Sequence, residues 1–159
     1  MVSYERGNAI DFAIENNYNL AHGCNCFCKM GTGFAAQVKR RLPELYQVDQ
    51  DSKRGDRFKQ GTNTHYLYDW GYGFNLYTQY WYSWDFTTIG LWNLRECLTA
   101  AFDLIQQTNQ RPLVIPKIGT GAAGGDWEQI VKVLEEVAIG DNELIVVEFD
   151  KTVSKHKRP

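Results

Sequence analysis

Hydrophobic positions along the chain follow two rhythms. Short apolar runs of strand length stand at residues 2–6, 18–21, 111–116 and 143–149. The run at 111–116 is apolar on successive positions, as in a strand covered on both faces. Elsewhere apolar residues recur at three- and four-residue spacing, the mark of one helix face. Ala35, Val38 and Leu42 form one such stripe. Leu91, Leu94, Leu98, Ala101, Phe102 and Ile105 form a second, and Trp127, Ile130, Val131, Leu134 and Val137 a third.

Smaller elements fill the gaps. Ala9, Phe12 and Ala13 predict a brief helical turn, and residues 44–49 a short helix restarted by Pro43. Residues 64–70 and 73–78 read as two strands joined by a tight turn through Trp70, Gly71, Tyr72 and Gly73. Residues 52–61, SKRGDRFKQG, read as a charged surface loop. Strands and helices alternate, so the class is α/β. The hairpin must be antiparallel, which makes the sheet mixed, and the strand at 18–21 is placed near its centre.

Two loops interrupt these rhythms in the same way. Residues 22–34, HGCNCFCKMGTGF, follow a short apolar strand with a turn of small and amide residues, a Gly-x-Gly and a helix start. Residues 113–127, LVIPKIGTGAAGGDW, repeat that grammar with four glycines before Asp126, a helix-capping residue type. Such a loop turns backbone N–H groups outward at the positive end of a helix and lets a phosphate approach closely. A glycine turn can also bind nothing, but two in one chain predict two walls of a diphosphate cleft.

Composition narrows the class. A chain of 159 residues, 43% apolar and 23% charged, reads as one soluble domain over residues 1–150, with a basic tail at 151–159 read as a solvated, frayed end. No run of about 18 apolar residues occurs and the N-terminus lacks a signal pattern, so the expected location is the cytoplasm, away from membranes. A net charge of −2 and a pI near 5.9 argue against a protein that grips a nucleic-acid backbone, while a nucleotide-like ligand needs only local donors. Cys24, Cys26 and Cys28 alternate too closely to pair with one another, and their spacing does not fit a zinc site. No metal or cofactor is expected, and the chain is expected to be a monomer. Residues 79–86, QYWYSWDF, hold five aromatics without a period; they read either as aromatic mass over the core or as a lid of rings for a base or ribose.

Gly7-Asn8-Ala9-Ile10, the HGCNCFCKMGTGFA loop and the IPKIGTGAAGGDW loop resemble, in order and spacing, three blocks of the macro domains, the ADP-ribose-binding α/β/α modules. The resemblance spans residues 2–149 and implies a three-layer α/β/α macro-domain fold with a mixed central sheet. It places Asn8 where the family usually has an aspartate accepting from the adenine amino group, with Ala9 and Ile10 beside the base. It implies that Gly31, Thr32, Gly33 and Phe34 form the first diphosphate and distal-ribose loop, after Gly23, Cys24 and Asn25, with Asn25 toward the distal ribose. A turn-holding role for the Asn25 amide is the local alternative. The second loop is implied to run from Ile118 through Gly119, Thr120, Gly121, Ala122, Ala123 and Gly124.

Within that family the chain looks closest to two branches. The His-x-Cys-Asn-Cys of residues 22–26 resembles the branch that hydrolyses ADP-ribose-1''-phosphate, which makes His22 the candidate general acid or base. Asp11, Asp69 and Asp85 are its unplaced carboxylate candidates, and a structural histidine is the alternative. The Met-Gly-x-Gly and Gly-Gly-x-Asp-Trp features resemble glycohydrolases that remove ADP-ribose from protein carboxylates or DNA bases. Those enzymes carry a lysine after a strand-ending threonine, where this chain has Gln79 after Thr78, and some have an acid where Ala123 stands. An amide has no comparable nucleophilicity. The expected ligand is ADP-ribose or ADP-ribose-1''-phosphate, free or on an ADP-ribosylated macromolecule. The expected function is hydrolysis of the 1''-phosphate of ADP-ribose-1''-phosphate; the alternatives are a non-catalytic reader and a glycohydrolase without the usual lysine.

Overall fold

The computed structural model describes residues 1–81, 88–120 and 125–158. Strand β1 (Val2–Gly7) leads into helix α1 (Ala9–Asn16), then β2 (Asn19–Asn25), α2 (Gly33–Arg41) and α3 (Pro43–Gln50). A single 3₁₀ turn (Arg57–Lys59) precedes β3 (Asn63–Tyr68) and β4 (Gly71–Gln79), and the chain closes with α4 (Thr88–Gln107), β5 (Leu113–Pro116), α5 (Trp127–Val137) and β6 (Leu144–Phe149). The strands form one six-stranded sheet in the order β1-β6-β5-β2-β4-β3, parallel throughout except for the antiparallel β3–β4 pair. The mixed sheet expected from the alternation is present, with β2 near its centre.

The period of two along the strands sorts the core into two layers. Leu20, Tyr77, Val114, Ile145 and Val147 point to one face, where they pack with Ile10, Val38 and Leu45 of α1, α2 and α3. Their neighbours Ala21, Leu76, Leu113, Leu144 and Val146 point to the other, against the buried stripes of α4 and α5. Both faces are covered, which is why the central strands carry continuous apolar runs. No helix among the described residues is long and apolar enough to cross a membrane.

Caps agree with local chemistry. Asn8 Oδ1 accepts from the Asp11 N–H at the start of α1, and Asp126 accepts from the Glu128 N–H at the start of α5. Pro43 takes the first turn of α3, where its missing N–H costs nothing.

Three expectations need correction. The strand read as residues 18–21 runs on to Asn25, because residues 22–25 pair in parallel with β4; His22, Gly23 and Cys24 are strand residues, not loop residues. The hairpin turn is the Asp69-Trp70 pair, and Gly71 and Tyr72 already belong to β4, opposite Tyr68 and Leu67. Residues 155–158 are not frayed. Asn16 Nδ2 donates to the His156 carbonyl at 2.9 Å, the His156 N–H donates to Glu15 at 2.9 Å, and Arg158 reaches Glu143 at 2.8 Å. The charged loop also carries a buried residue: Lys59 turns inward and donates to Ser52 Oγ at 2.7 Å and to the Cys26 carbonyl at 3.3 Å.

Candidate functional site

Neighbouring strands β5 and β2 send their following helices to opposite faces, α5 to one and α2 to the other. In an open parallel sheet that divergence leaves a crevice beyond the C-terminal strand ends. A cleft of about 640 Å³ lies there. One wall is the first glycine loop, with Gly31, Thr32, Gly33 and Phe34; the other begins with Ile118, Gly119 and Thr120. The floor comes from His22, Gly23, Cys24 and Asn25 at the end of β2, with Thr78 and Gln79 at the end of β4. Residues 121–124, the rest of the second expected loop, lie outside the described residues, as do residues 82–86 of the aromatic segment.

The loop geometry favours an anion. Thr32 stands at the N-cap of α2 without a side-chain hydrogen bond, so its hydroxyl leaves the first-turn N–H groups uncapped. Gly33 (φ +58°) and Gly119 (φ +79°) hold left-handed backbone at the two loops. Lys29 and Lys117 add positive charge to the lining, and the Lys117 ammonium stands 5.3 Å from the centre of the Trp127 ring. Neither lysine was singled out in the sequence, where each looks like an ordinary surface residue.

His22 is buried. Asn75 Nδ2 donates to the Leu45 carbonyl (2.9 Å) and to Thr64 Oγ1 (3.0 Å), which orients its Oδ1 toward His22 Nε2 at 2.7 Å. That contact requires the proton on Nε2. Burial lowers the imidazole pKa to about 4, against a smaller opposing effect of the Asn75 bond, so the ring is neutral at pH 7. Its other polar neighbour is the thiol of Cys24, pushed well up by burial and so no nucleophile. The carboxylate candidates stand elsewhere: Asp11 pairs with Arg41, Asp69 sits in the β3–β4 turn, and Asp85 is outside the described residues. Asn75, the partner that sets the state of His22, was missed; its only signal is an amide inside an otherwise apolar strand.

Asn25 is engaged by its own loop. Its Oδ1 accepts from the Phe27 N–H (2.9 Å) and its Nδ2 donates to the Lys29 carbonyl (3.0 Å), the turn-holding role that was the local alternative. Gln79 Nε2 donates to the Trp81 carbonyl at 3.0 Å. Asn8, Ala9 and Ile10 do not line the cleft: Asn8 caps α1 and donates to Gln37 at 2.9 Å, and Ala9 and Ile10 are buried in the core. No disulfide and no group of three metal-ligating side chains is present among the described residues.

The architecture is that of the macrodomains. The macrodomain of Mycobacterium tuberculosis DarG superposes with a TM-score of 0.75 over 92% of this chain and 97% of its own, at 21% identity. Thermosipho africanus DarTG, solved in complex with ADP-ribose, superposes with a TM-score of 0.67 over 91% of this chain and 41% of that longer one, at 16% identity. No family model matches the sequence. The chain belongs to the family of the uncharacterized 17.5 kDa protein in the tk-vs intergenic region of Enterobacteria phage T4, to which it is 30% identical over 94% of its length and 97% of the phage protein.

Proposed function

We propose that this chain is an ADP-ribose-binding macro domain that holds its ligand without hydrolysing it. The observation that carries the reading is the meeting, on one cleft, of the first glycine loop with Ile118, Gly119 and Thr120, joined by the start of α2 and by Lys29 and Lys117. That set of donors suits a diphosphate, and the DarTG structure with ADP-ribose supports the same ligand on a similar fold.

Hydrolysis of a 1''-phosphate calls for a group that exchanges protons near neutrality. His22 has a pKa of about 4 and commits its Nε2–H to a hydrogen bond with Asn75 Oδ1, so the geometry favours binding over phosphate release. A glycohydrolase reading lacks its lysine, since Gln79 stands in that place.

Calorimetric titration with ADP-ribose, followed in the same sample by a phosphate assay on ADP-ribose-1''-phosphate, tests this. Binding without release is expected. No binding removes the ADP-ribose reading, and release would make the protein a phosphatase whose first residue to vary is His22.

A further inference from the structure

The loop between β2 and α2 holds a cysteine in a conformation that cysteine rarely takes. Cys28 has left-handed backbone (φ +58°), which glycine or asparagine adopts at lower cost. The other described non-glycine residues with positive φ, Asn17 and Gln110, each follow a helix end, where such a turn closes the helix. Cys28 ends no helix. Its carbonyl is pinned by Gln50 Nε2 at 2.9 Å, and its side chain points toward residues 49–59. A strained residue over-determined by its surroundings motivates a role for its side chain.

That side chain meets a lysine. Lys59, on the 3₁₀ turn, is buried, and its Nζ stands 3.7 Å from Cys28 Sγ. The ammonium also donates to Ser52 Oγ and to the Cys26 carbonyl, but no carboxylate forms an ion pair with it among the described residues. Lysines are seldom buried without a paired charge. The sulfur lies 3.2 Å from the Asp49 carbonyl and 3.7 Å from Ser52 Oγ. Cys28 is half-buried, while Cys24, Cys26 and Cys97 are buried, and burial pushes the Cys24 and Cys97 thiols up. Thiol oxidation follows access and thiolate character, so a small oxidant meets Cys28 first.

We propose that Cys28 and Lys59 form a covalent modification site, a sulfur–nitrogen crosslink made when a peroxide oxidises the thiol. The sulfur attacks one peroxide oxygen and the O–O bond breaks. Cys28 becomes a sulfenic acid, and the thiol proton leaves with the other oxygen as water. Lys59 gives one proton to solvent and its Nζ attacks the sulfur. The S–O bond breaks, the departing hydroxide takes a second proton from the nitrogen, and a sulfenamide and water remain. Sulfur loses two electrons and the peroxide gains them. The flexible four-carbon stem of lysine lets Nζ close the gap. The bond ties the loop that carries Lys29, a cleft-lining residue, to the 3₁₀ turn. It does not depend on which ligand the cleft holds.

The test is a peptide map of the full chain, treated with hydrogen peroxide and digested with trypsin without a reducing agent. Cys28 lies in the tryptic peptide of residues 7–29, and Lys59 ends the peptide of residues 58–59. Once its nitrogen is bonded to sulfur, the cut after Lys59 is lost. Residues 7–29 joined to residues 58–95, lighter by two hydrogens than the two peptides together, are the expected product, with fragmentation placing the bond on Cys28. Dithiothreitol should separate the pair, and Cys28→Ser should not form it. A Cys28 that stops at a sulfenic acid trapped by dimedone overturns the assignment. So does a disulfide from Cys28 to another cysteine, or a cut after Lys59 that survives in full. If Cys28→Ser does not fold, the wild-type map decides alone, because the fragments report both ends of the bond.

Discussion

His22 donates its Nε2 proton to Asn75 Oδ1 across 2.7 Å, and Asn75 is held in that orientation by Leu45 and Thr64. The histidine is therefore neutral by construction. Its pKa is about 4 in the fold and about 6.5 in the unfolded chain, so between those values the unfolded state takes up a proton that the native state refuses. The stability from this site is fully present above pH 6.5 and lost as pH falls toward 4, at about 1.4 kcal/mol per pH unit and about 3 kcal/mol in all. Urea unfolding at pH 7 and pH 5 should show this slope in wild type and a shallower one in His22→Gln. Equal slopes would mean that the imidazole titrates normally.

Gly31 sits on the cleft wall, exposed, with no heavy atom within 4 Å of where a Cβ would stand. A Gly31→Glu side chain has room in the fold but brings a carboxylate to the diphosphate wall. ADP-ribose affinity should fall more than about 30-fold, since about 2 kcal/mol of like-charge repulsion in a partly buried site is a factor of that size. The melting temperature should stay within about 2 °C of wild type. Retained affinity would place the diphosphate elsewhere.

A polar network under α3 contributes to the fold and not to the cleft. The Tyr77 hydroxyl donates to Asp49 Oδ1 at 2.8 Å and lies 2.9 Å from Thr64 Oγ1, while the Lys59 ammonium stands 4.4 Å from the centre of the Tyr77 ring. Burial raises the Asp49 pKa, with the Tyr77 bond acting against it. Tyr77→Phe removes that donor from a buried carboxyl and should cost about 1.5–3 kcal/mol in chemical denaturation at pH 7. ADP-ribose affinity should not move. A cost below 0.5 kcal/mol would show that Asp49 finds another donor.

Gly7 shows how the tail is seated. Its φ is +140°, and a Cβ there would stand 2.6 Å from Cδ2 of the His156 ring. Gly7→Ala should destabilise by about 1–3 kcal/mol and expose residues 151–158 to proteolysis. Removing residues 155–159 should cost less, and Gly7→Ala should cost less in that shortened chain than in the full one, because the clash with His156 is gone. Strict additivity would mean that the penalty is backbone strain alone.

Much of the fold was legible because its signals are local. The stripe of α4, the apolar run of β5, the Pro43 restart and the Asp126 cap are read from residues within a few positions of one another, and the structure has each of them; the α5 stripe is there too, with Val133 buried in place of the expected Val131. The two glycine loops were visible for the same reason. The longer reach of β2 was not, because residues 22–25 become a strand only by pairing with β4, some fifty positions away. Asn8 illustrates a further gap. Its capping role is encoded within three residues, but whether its amide faces a ligand depends on Gln37 and Arg41, which arrive from α2.

By itself the sequence determined the α/β alternation, the helix faces and the places where the backbone must open into glycine loops, since these depend on periodicity and on conformational demands at single residues. Tertiary structure alone decided the protonation of His22, the meeting of Cys28 with Lys59 and the docking of residues 155–158. Desolvation, strand register and hydrogen-bond partnership are properties of what the fold brings alongside a residue. Asn75 stands 53 positions from His22, and no pattern of neighbours along the chain could announce that contact.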